Sequence, residues 1–448
     1  MEPVTASRVL FIAHEFPPSA GGGVQRLASF AHYLTVYGWE VHVIAAEPLP
    51  GKPRDESLLT KVAGIPVDRL PARDAATAIA RTLSPLKALR AALRRLRGRY
   101  EAPQGGSGTS SAQAAASPLS ARLSRWVALP DGAVFWSRRV PDLAARLHQR
   151  APFNLVFASG PPYSALLAGA RVGRRLGLPV VLDMRDAWKY SYHARWPTVA
   201  KQRRFEELER EAIEGARVVV AVNEAIAGEA AELGAAKTVV LPNGFDLGEM
   251  PAWSPARDRA LSLVFMGRMS PGASDPSVLF RSLARAREID PRMNECHLTV
   301  IGPDAPWAED LASHLGVRNL VSFGGFRPYR EALDIVAAAD LGVIALAEDD
   351  ASAGVYSGKL FDYVGIGIPI LVFGPGISGA AEIARETGCG HVIAGGDVEA
   401  GARILLELAE AKRQGVTPCV TSPAVRARFD RREQVRMLSE LLRETARR

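Results

Sequence analysis

The chain has 448 residues, 48% apolar and 23% charged, which suits two or three globular domains with complete cores. Its net charge of +7 favours anionic partners. No apolar run approaches the roughly 20 residues of a membrane-spanning helix, and the N-terminus lacks the pattern of a secretory signal.

The first predicted unit is a strand at 8–13, a glycine-containing loop, a helix at 24–37 and a second strand. The dinucleotide-binding spacing G-x-G-x-x-G is absent. Gly22 and Gly23 precede the helix, whose free N–H groups attract anions, so we expect close backbone approach to a ligand there. A plain flexible loop is the alternative. His14 follows the first strand and could line a ligand-binding edge, or have no role.

A basic helix is predicted next, at 75–98. Its leucines recur at helical spacing, and residues 81–99 include seven Lys or Arg side chains and no acid. This pattern is typical of an element that binds an anionic membrane surface, although a solvated helix would show it equally. The Gly/Ser/Ala-rich stretch 102–118 is predicted to be a flexible loop.

Regular strand and helix alternation returns after residue 131. A helix is predicted at 163–176, and "LPVVLDMRDAW" is a strand that ends in charged residues. Such residues are costly at the end of a buried strand unless they are paired or functional. We therefore regard Arg185 and Asp186 as candidates for substrate binding, with Tyr163 beside them. An Arg–Asp pair that only fixes a loop is the alternative.

A charged helix at 198–216 is interpreted as mainly a solvated face. Residues 247–260, which include three Pro or Trp residues, are predicted to be a linker. A second strand–helix series begins at 261, and its first strand delivers Arg268 at its carboxyl end.

The segment "SGKLFDYVGIGIPILVFG" predicts a loop, a short helix, a turn and a buried strand. Ser357 should cap the helix that Gly358 and Lys359 open, and Asp362 lies one turn further along. A helix N-terminus with a lysine suits phosphate, and a carboxylate suits a diol. Together they describe a nucleoside diphosphate and its ribose. An amphipathic helix with solvated Lys359 and Asp362 is the alternative.

This segment resembles the donor site of retaining glycosyltransferases with the GT-B fold. That family includes sucrose synthases and many bacterial cell-surface sugar transferases. The stretches "RVLFIAHEFPPSAGGGVQRLASFAHYLTVYGWEVHVIA", "LPVVLDMRDAW", "VVLPNGFD" and "LSLVFMGRMS" are similar to the same family in order and spacing. The resemblance implies an α/β protein with two Rossmann-like doubly wound domains that face a central cleft. It also implies transfer of a hexose from a nucleotide-diphosphate sugar with retention of configuration.

On this resemblance Arg268 and Lys359 clamp the diphosphate and are the candidate catalytic residues. The full set of donor-binding candidates is Gly22, Gly23, Arg268, Tyr356, Ser357, Gly358, Lys359, Leu360, Asp362 and Glu382. The acceptor-side candidates are His14, Tyr163, Arg185 and Asp186.

The chain departs from the family pattern at three positions. Where the family has two glutamates eight positions apart, this chain has Gly354 and the shorter Asp362, which we assign to the ribose. No lysine follows Arg268 closely. The sugar would then be read by Tyr356, Ser357 or the acids at 348–350. No Asp-x-Asp pair faces the expected diphosphate, so we expect neither metal nor cofactor.

The predicted domains are an N-terminal domain at 1–246, a linker at 247–260, a donor domain at 261–424 and a C-terminal helix at 425–448 that packs back on the first domain. The expected partners are a nucleotide-sugar donor, a sugar or lipid-linked acceptor and an anionic membrane surface, but no nucleic acid. Two alternatives are a sugar-nucleotide epimerase or hydrolase and a non-catalytic binding protein, which the missing glutamate at Gly354 favours.

The cysteines bear on the compartment. Cys296, Cys389 and Cys419 are far apart in sequence, have no metal-ligand spacing and cannot all pair. This favours a reducing cytoplasm, with the protein at the inner face of the membrane if the basic helix binds there.

Overall fold

The computed structural model describes residues 7–72, 128–188, 196, 198–256, 260–349, 357–416 and 419–447. It divides into two compact units. Unit 1 comprises Met1–Val240 with Ser439–Arg448, and unit 2 comprises Leu241–Leu438. The predicted basic helix, the loop at 102–118, Asp350, Gly354 and Tyr356 lie outside the described residues.

Unit 1 is built on a seven-stranded sheet in the order β3-β2-β1-β4-β5-β6-β7, in which every pair of neighbours is parallel. The central strands are almost entirely apolar and buried, as expected for a parallel sheet covered on both faces. The strands are β1 (Ser7–Ala13), β2 (Trp39–Ala46), β3 (Val67–Leu70), β4 (Leu155–Gly160), β5 (Val180–Met184), β6 (Val218–Ala221) and β7 (Thr238–Val240).

The helices described in unit 1 connect these strands. They are α1 (Gly22–Val36), α2 (Leu58–Lys61), α3 (Val134–Ser137), α4 (Val140–Arg150), α5 (Tyr163–Leu176), α6 (Val199–Glu214) and α7 (Glu224–Glu232). The side chains of Thr198 and Asn223 cap α6 and α7. Helix α6 is amphipathic rather than mainly solvated, because Phe205, Leu208 and Ile213 enter the core.

Unit 2 contains a second parallel sheet, with six strands in the order β10-β9-β8-β11-β12-β13. Its strands are β8 (Ser262–Met266), β9 (His297–Ile301), β10 (Val321–Phe323), β11 (Leu341–Ala345), β12 (Ile370–Phe373) and β13 (Gly390–Ile393). Two clusters of buried apolar residues form the core of this unit. The prediction of two Rossmann-like α/β domains is therefore confirmed.

The described helices that follow are α8 (Ser277–Ile289), α9 (Pro306–His314), α10 (Tyr329–Ala338), α11 (Gly358–Ile366), α12 (Gly379–Glu386), α13 (Val398–Arg413), α14 (Pro423–Arg428) and α15 (Arg431–Arg447). Short 3-10 helices lie at Leu247–Glu249, Pro291–Glu295 and Arg318–Leu320. Helix α15 contributes residues up to Leu438 to unit 2 and the rest to unit 1. Within unit 1, Trp39 Nε1 donates to Ser439 Oγ at 3.0 Å.

Residues of the predicted linker pack on unit 2. Trp253 Nε1 donates to the carbonyl of Ala339 at 2.8 Å, and Ser254 N donates to the carbonyl of Ala337 at 2.9 Å. The continuous part of unit 1 ends at Val240.

The cysteines require a correction. Cys389, beside β13, and Cys419 form a disulfide, whereas Cys296 is a buried free thiol. The interpretation of the cysteines as signs of a reducing compartment does not hold for this pair. The fold brings their Cα atoms to 5.4 Å across 30 residues of sequence, a separation at which spacing alone reveals no pairing.

Candidate functional site

Glycines follow three neighbouring strands at the carboxyl edge of the unit 2 sheet. Gly267 follows β8 with a φ of +115°, a conformation that requires glycine. Gly302 follows β9, and a Cβ there would overlap the Gly267 carbonyl. Its N–H donates to the carbonyl of Gly325, beyond β10, at 3.1 Å. This edge therefore offers bare backbone to a ligand at the place where open α/β sheets bind theirs.

Lys359 reaches this edge from the first turn of α11. The residue is 8% exposed, and its Nζ lies 3.6 Å from the centroid of the Phe265 ring and 3.4 Å from Ser274 Oγ. Among the described residues no carboxylate pairs with it. Burial lowers the pKa of Lys359 to about 7. A buried ammonium group of this kind gains most from an incoming anion.

Arg268 follows β8 and Gly267, close to the same turn. A Cβ on its neighbour Gly267 would lie 3.7 Å from Lys359 Nζ, so the two cationic residues flank one glycine. Arg268 is exposed and, within the described part of the chain, has neither a hydrogen-bond nor an ion-pair partner. Its guanidinium group is available for a second contact to an anion.

The N-terminus of α11 differs from the prediction in one respect. Ser357 occupies the N-cap position with φ and ψ of −61° and 133°, but its side chain makes no capping hydrogen bond. Only the carbonyl of Ser357 contributes, accepting from Leu360 N at 3.1 Å. The Leu360 side chain is fully buried in the core. Among the described residues none accepts a hydrogen bond from the first N–H groups of α11, at Gly358 and Lys359, so these groups suit an anionic ligand.

Asp362 is buried, which excludes the solvated alternative. It is 7% exposed, and its Oδ1 accepts a hydrogen bond from Tyr329 Oη at 2.6 Å. Burial raises the pKa of Asp362 to about 6, against the Tyr329 hydrogen bond and the charge of Arg431, which lower it. Two other predicted acids follow neighbouring strands of the same sheet. Glu348, after β11, accepts from Gly396 N at 3.2 Å, and Glu382, after β12, is exposed in the first turn of α12.

In unit 1 the structure brings Gly23 and Arg185 together. A Cβ on Gly23 would overlap the guanidinium group of Arg185, which also donates to the carbonyl of Pro161. The close approach that the glycines predict is therefore made, at Gly23, by a side chain of the same unit. Gly22 faces open space.

The other acceptor-side candidates lie at the carboxyl edge of the same sheet. The His14 ring meets Trp136 edge-on with centroids 5.1 Å apart. The Tyr163 hydroxyl donates to the carbonyl of Ala187 at 2.9 Å, and Asp186 is exposed.

Sequence reasoning missed a buried ion pair in unit 1. Arg26 Nη2 donates to Asp183 Oδ1 at 2.8 Å, and Asp183 Oδ2 accepts from Ser159 Oγ at 2.7 Å. The charge at the end of β5 is thus paired and links α1 to the sheet. The only available signal was an arginine between Val24 and Leu27, which belong to the buried face of α1.

None of the described helices is both long and apolar enough to cross a bilayer. No group of three or more His, Cys, Asp or Glu side chains in the described ranges could hold a metal ion.

Two family models match the chain in tandem. Residues 102–244 match a glycosyl transferase 4-like domain, and residues 260–411 match glycosyl transferases group 1. Together the two matches cover about two thirds of the sequence. No curated protein sequence is significantly similar to the chain.

Solved structures share the fold at low sequence identity. A sucrose-phosphate synthase from Thermosynechococcus elongatus superimposes with a TM-score of 0.63 at 13% identity, covering 98% of both chains. A glycosyltransferase from Rickettsia africae ESF-5 gives 0.59 at 12%, covering 99% of both. The lipopolysaccharide outer core galactosyltransferase WaaB gives 0.57 at 13%, covering 97% of this chain and 99% of its own. The chain is a glycosyltransferase of the GT-B type, with two glycosyltransferase domains in tandem.

Proposed function

We propose that this glycosyltransferase moves a hexose from a nucleotide-diphosphate sugar to an acceptor hydroxyl and retains the configuration at the anomeric carbon. The observation that carries the proposal is Lys359, a buried ammonium group without a carboxylate partner among the described residues. It lies at a glycine-lined sheet edge, in the first turn of a helix whose first two N–H groups have no partner in the described part of the chain. A diphosphate satisfies all of these groups at once.

The proposed chemistry is stabilisation of the leaving group. As the bond between the anomeric carbon and the phosphate oxygen breaks, negative charge grows on that oxygen and the sugar becomes oxocarbenium-like. Lys359, Arg268 and the N-terminus of α11 then stabilise the departing diphosphate more strongly than the intact donor. The acceptor oxygen forms the new bond to the anomeric carbon and gives its proton to the departing phosphate oxygen. Retention of configuration rests on the family resemblance.

The charge of the diphosphate is met by these protein groups in this proposal, so the reaction needs no metal. Gly22 and Gly23 are proposed to add backbone contacts to the donor, while His14, Tyr163, Arg185 and Asp186 are proposed to serve the acceptor. Asp362 is proposed to bind the ribose.

The acceptor is proposed to be a lipid-linked or cell-surface glycan precursor. One similar structure is a lipopolysaccharide galactosyltransferase, and residues 81–99 carry seven basic side chains that suit an anionic membrane. Binding of the full chain to anionic vesicles, with and without residues 81–99, checks the membrane contact.

Thermal unfolding with UDP, GDP, ADP and dTDP, each with and without EDTA, tests the donor site. We expect one nucleotide to raise the melting temperature by several degrees, equally in EDTA, because a ligand of the folded state stabilises it. Arg268→Ala should weaken this shift. Failure of every nucleotide on folded protein would refute the donor site, and a shift seen only with added manganese would refute the metal-free route. Transfer with the matching nucleotide sugar, followed by NMR of the new anomeric centre, then decides retention.

A further inference from the structure

A second group of polar residues lies behind Lys359 in unit 2. Tyr329 is the first residue of α10, Arg431 is the first of α15, and Asp246 lies in the segment that follows β7. Tyr329 Oη donates to Asp362 Oδ1 at 2.6 Å, and Arg431 Nη1 lies 3.5 Å from Asp246 Oδ2. Asp246, Asp362 and Arg431 are each more than nine-tenths buried.

The two oxygens of the Asp362 carboxylate differ in their contacts. Oδ1 is held by the Tyr329 hydroxyl. Oδ2 has no hydrogen-bond partner within the described part of the chain, yet it is not among the fully enclosed unpaired atoms. Asp362 is three residues beyond Lys359 on α11, so the two side chains share a helix face. An unpaired carboxylate oxygen therefore lies beside the proposed diphosphate site.

Few groups determine the charge of this carboxylate. Arg431 is the only cation of the cluster and is shared between two acids, Asp246 and Asp362. Lys359 and Tyr363 are the other titratable neighbours, both on the same helix. The hydrogen bond from Tyr329 is the only one that any described residue makes to the Asp362 side chain, and it holds this side chain in its rotamer.

We propose that Tyr329 is a positioning residue of the donor site, whose hydroxyl holds Asp362 with Oδ2 directed to a hydroxyl of the nucleotide. The inference rests on the proposed function, because it assumes a nucleotide at Lys359. Tyr329 acts only through Asp362 and does not touch the reacting atoms. Arg431 supports the same carboxylate by its charge.

The proposal predicts how donor binding depends on pH. Burial raises the pKa of Asp362 to about 6, and the Tyr329 hydrogen bond is the leading influence that opposes the rise. Removing the hydroxyl must therefore raise the pKa of Asp362 further. At pH values between the two pKa values, wild-type Asp362 is ionised and accepts strongly, while the variant is protonated. At higher pH both are ionised.

The test is the ratio of nucleotide dissociation constants of Tyr329→Phe and wild type, measured by calorimetry from pH 5.5 to 8.5. The probe is whichever of UDP, GDP, ADP and dTDP binds wild type best. Titration of the phosphate and of Lys359 is common to both proteins and cancels in the ratio. We expect the variant to bind roughly 5- to 10-fold more weakly near pH 6.5, since hydrogen bonds to charged groups are strong. At pH 8.5 this deficit should shrink to the smaller loss that comes from the orientation of Asp362 alone.

A purely structural role gives a different result. It would weaken binding by the same factor at every pH, and that outcome, or an unchanged affinity, overturns the proposal. Tyr33→Phe in unit 1 is the matched control, which should give a ratio near one throughout. If Tyr329→Phe does not fold, the same measurement on Asp362→Asn decides. A ratio of variant to wild-type dissociation constants that rises with pH around 6 supports the proposal. A constant ratio would mean that Asp362 does not bind the nucleotide and that Tyr329 therefore has no positioning role.

Failure of the proposed function can be distinguished from failure of the Tyr329 role. If wild type binds none of the four nucleotides at any pH, the donor site itself is wrong. If wild type binds and Lys359→Met does not, but Tyr329→Phe behaves as wild type at every pH, only the positioning role is wrong.

Discussion

Lys359 occupies a position that a lysine without a ligand would normally avoid. Its ammonium group is surrounded by a phenyl ring, one serine hydroxyl and backbone glycines. The lowering of its pKa from 10.5 to about 7 corresponds to a destabilisation of roughly 4 kcal/mol at pH 7, since each unit is worth about 1.4 kcal/mol. A cost of this size is typical of functional sites, where binding is gained at the expense of stability.

The first prediction is that Lys359→Met stabilises the free protein while abolishing nucleotide binding. Methionine has nearly the same length and no charge, so we expect about 2 kcal/mol of added stability at pH 7 after the loss of the ring contact. The folded pKa is depressed, so the unfolded chain binds more protons between pH 7 and 10.5, and wild-type stability rises over that interval. The gain in stability of Lys359→Met over wild type must therefore be largest at pH 7 and below.

Thermal unfolding of both proteins between pH 6 and 10 measures this difference. Lys52→Met is a suitable control, because that side chain is exposed in the loop between β2 and α2 and should change the melting temperature little. A Lys359→Met protein that is less stable than wild type at pH 7 would mean that Lys359 is a structural residue.

At the scale of elements, contacts from the described residues hold α11 at its C-terminus, whereas none of them pairs with the first two N–H groups at its N-terminus. Gly367 ends the helix in the left-handed conformation, and its carbonyl accepts from Thr421 N at 3.3 Å. Arg426 Nη2 donates to the carbonyl of Gly365 at 2.5 Å, which places a cation at the negative end of the helix. The disulfide at Cys419 joins the start of this holding segment to β13. These contacts of unit 2 thus fix the C-terminal end of α11, and the ligand is proposed to bind at its first turn.

The second prediction concerns that disulfide. Cys419→Ser should lower the free energy of unfolding by about 3 kcal/mol, because the bond closes a loop of 30 residues in the unfolded chain. Denaturant unfolding with and without dithiothreitol measures it. The reductant should lower the free energy of unfolding of the wild type to that of the variant, and it should leave the variant's value unchanged. Equal stability of all four samples would mean that the two thiols do not pair in solution.

Elements with strong periodicity and clear ends could be predicted from the sequence. The predicted bounds of α5, 163–176, agree with the structure, since Gly177 terminates the helix. The positions of Lys359 and Arg268 at element ends could be predicted, because each follows a glycine, at the start of α11 and at the end of β8 respectively.

The contacts that give these residues their properties could not be predicted. The partners of Asp362 and Asp183, which are Tyr329 and Arg26, are 33 and 157 residues away in sequence. Only the packed sheet brings them together, and no local pattern records it. The disulfide and the missing side-chain cap at Ser357 could not be predicted for the same reason, since each depends on the orientation of another segment.

For the whole molecule, the division into two units has a functional consequence. Each unit has its own sheet and core. The glycine edge, Arg268, Lys359 and Asp362 all belong to unit 2. Nucleotide binding should therefore slow backbone amide hydrogen exchange mainly in unit 2, in segments that are far apart in sequence.

The third prediction is a pattern of amide hydrogen exchange in the full chain. The bound nucleotide of highest affinity should slow exchange most in peptides covering 267–274 and 357–363, because the N–H groups there become hydrogen-bonded or shielded. Residues 22–25 should be protected more weakly, if their backbone assists as proposed. Strands β4 and β5, buried within unit 1, should not change.

Lys359→Met is the informative control for this pattern, because it keeps the fold and removes the anion contact. It should show the exchange of the free wild type whether or not nucleotide is present. Protection confined to residues 22–25, with 357–363 unaffected in wild type, would place the phosphates in unit 1 instead. The buried charge of Lys359 would then need another anion to explain it.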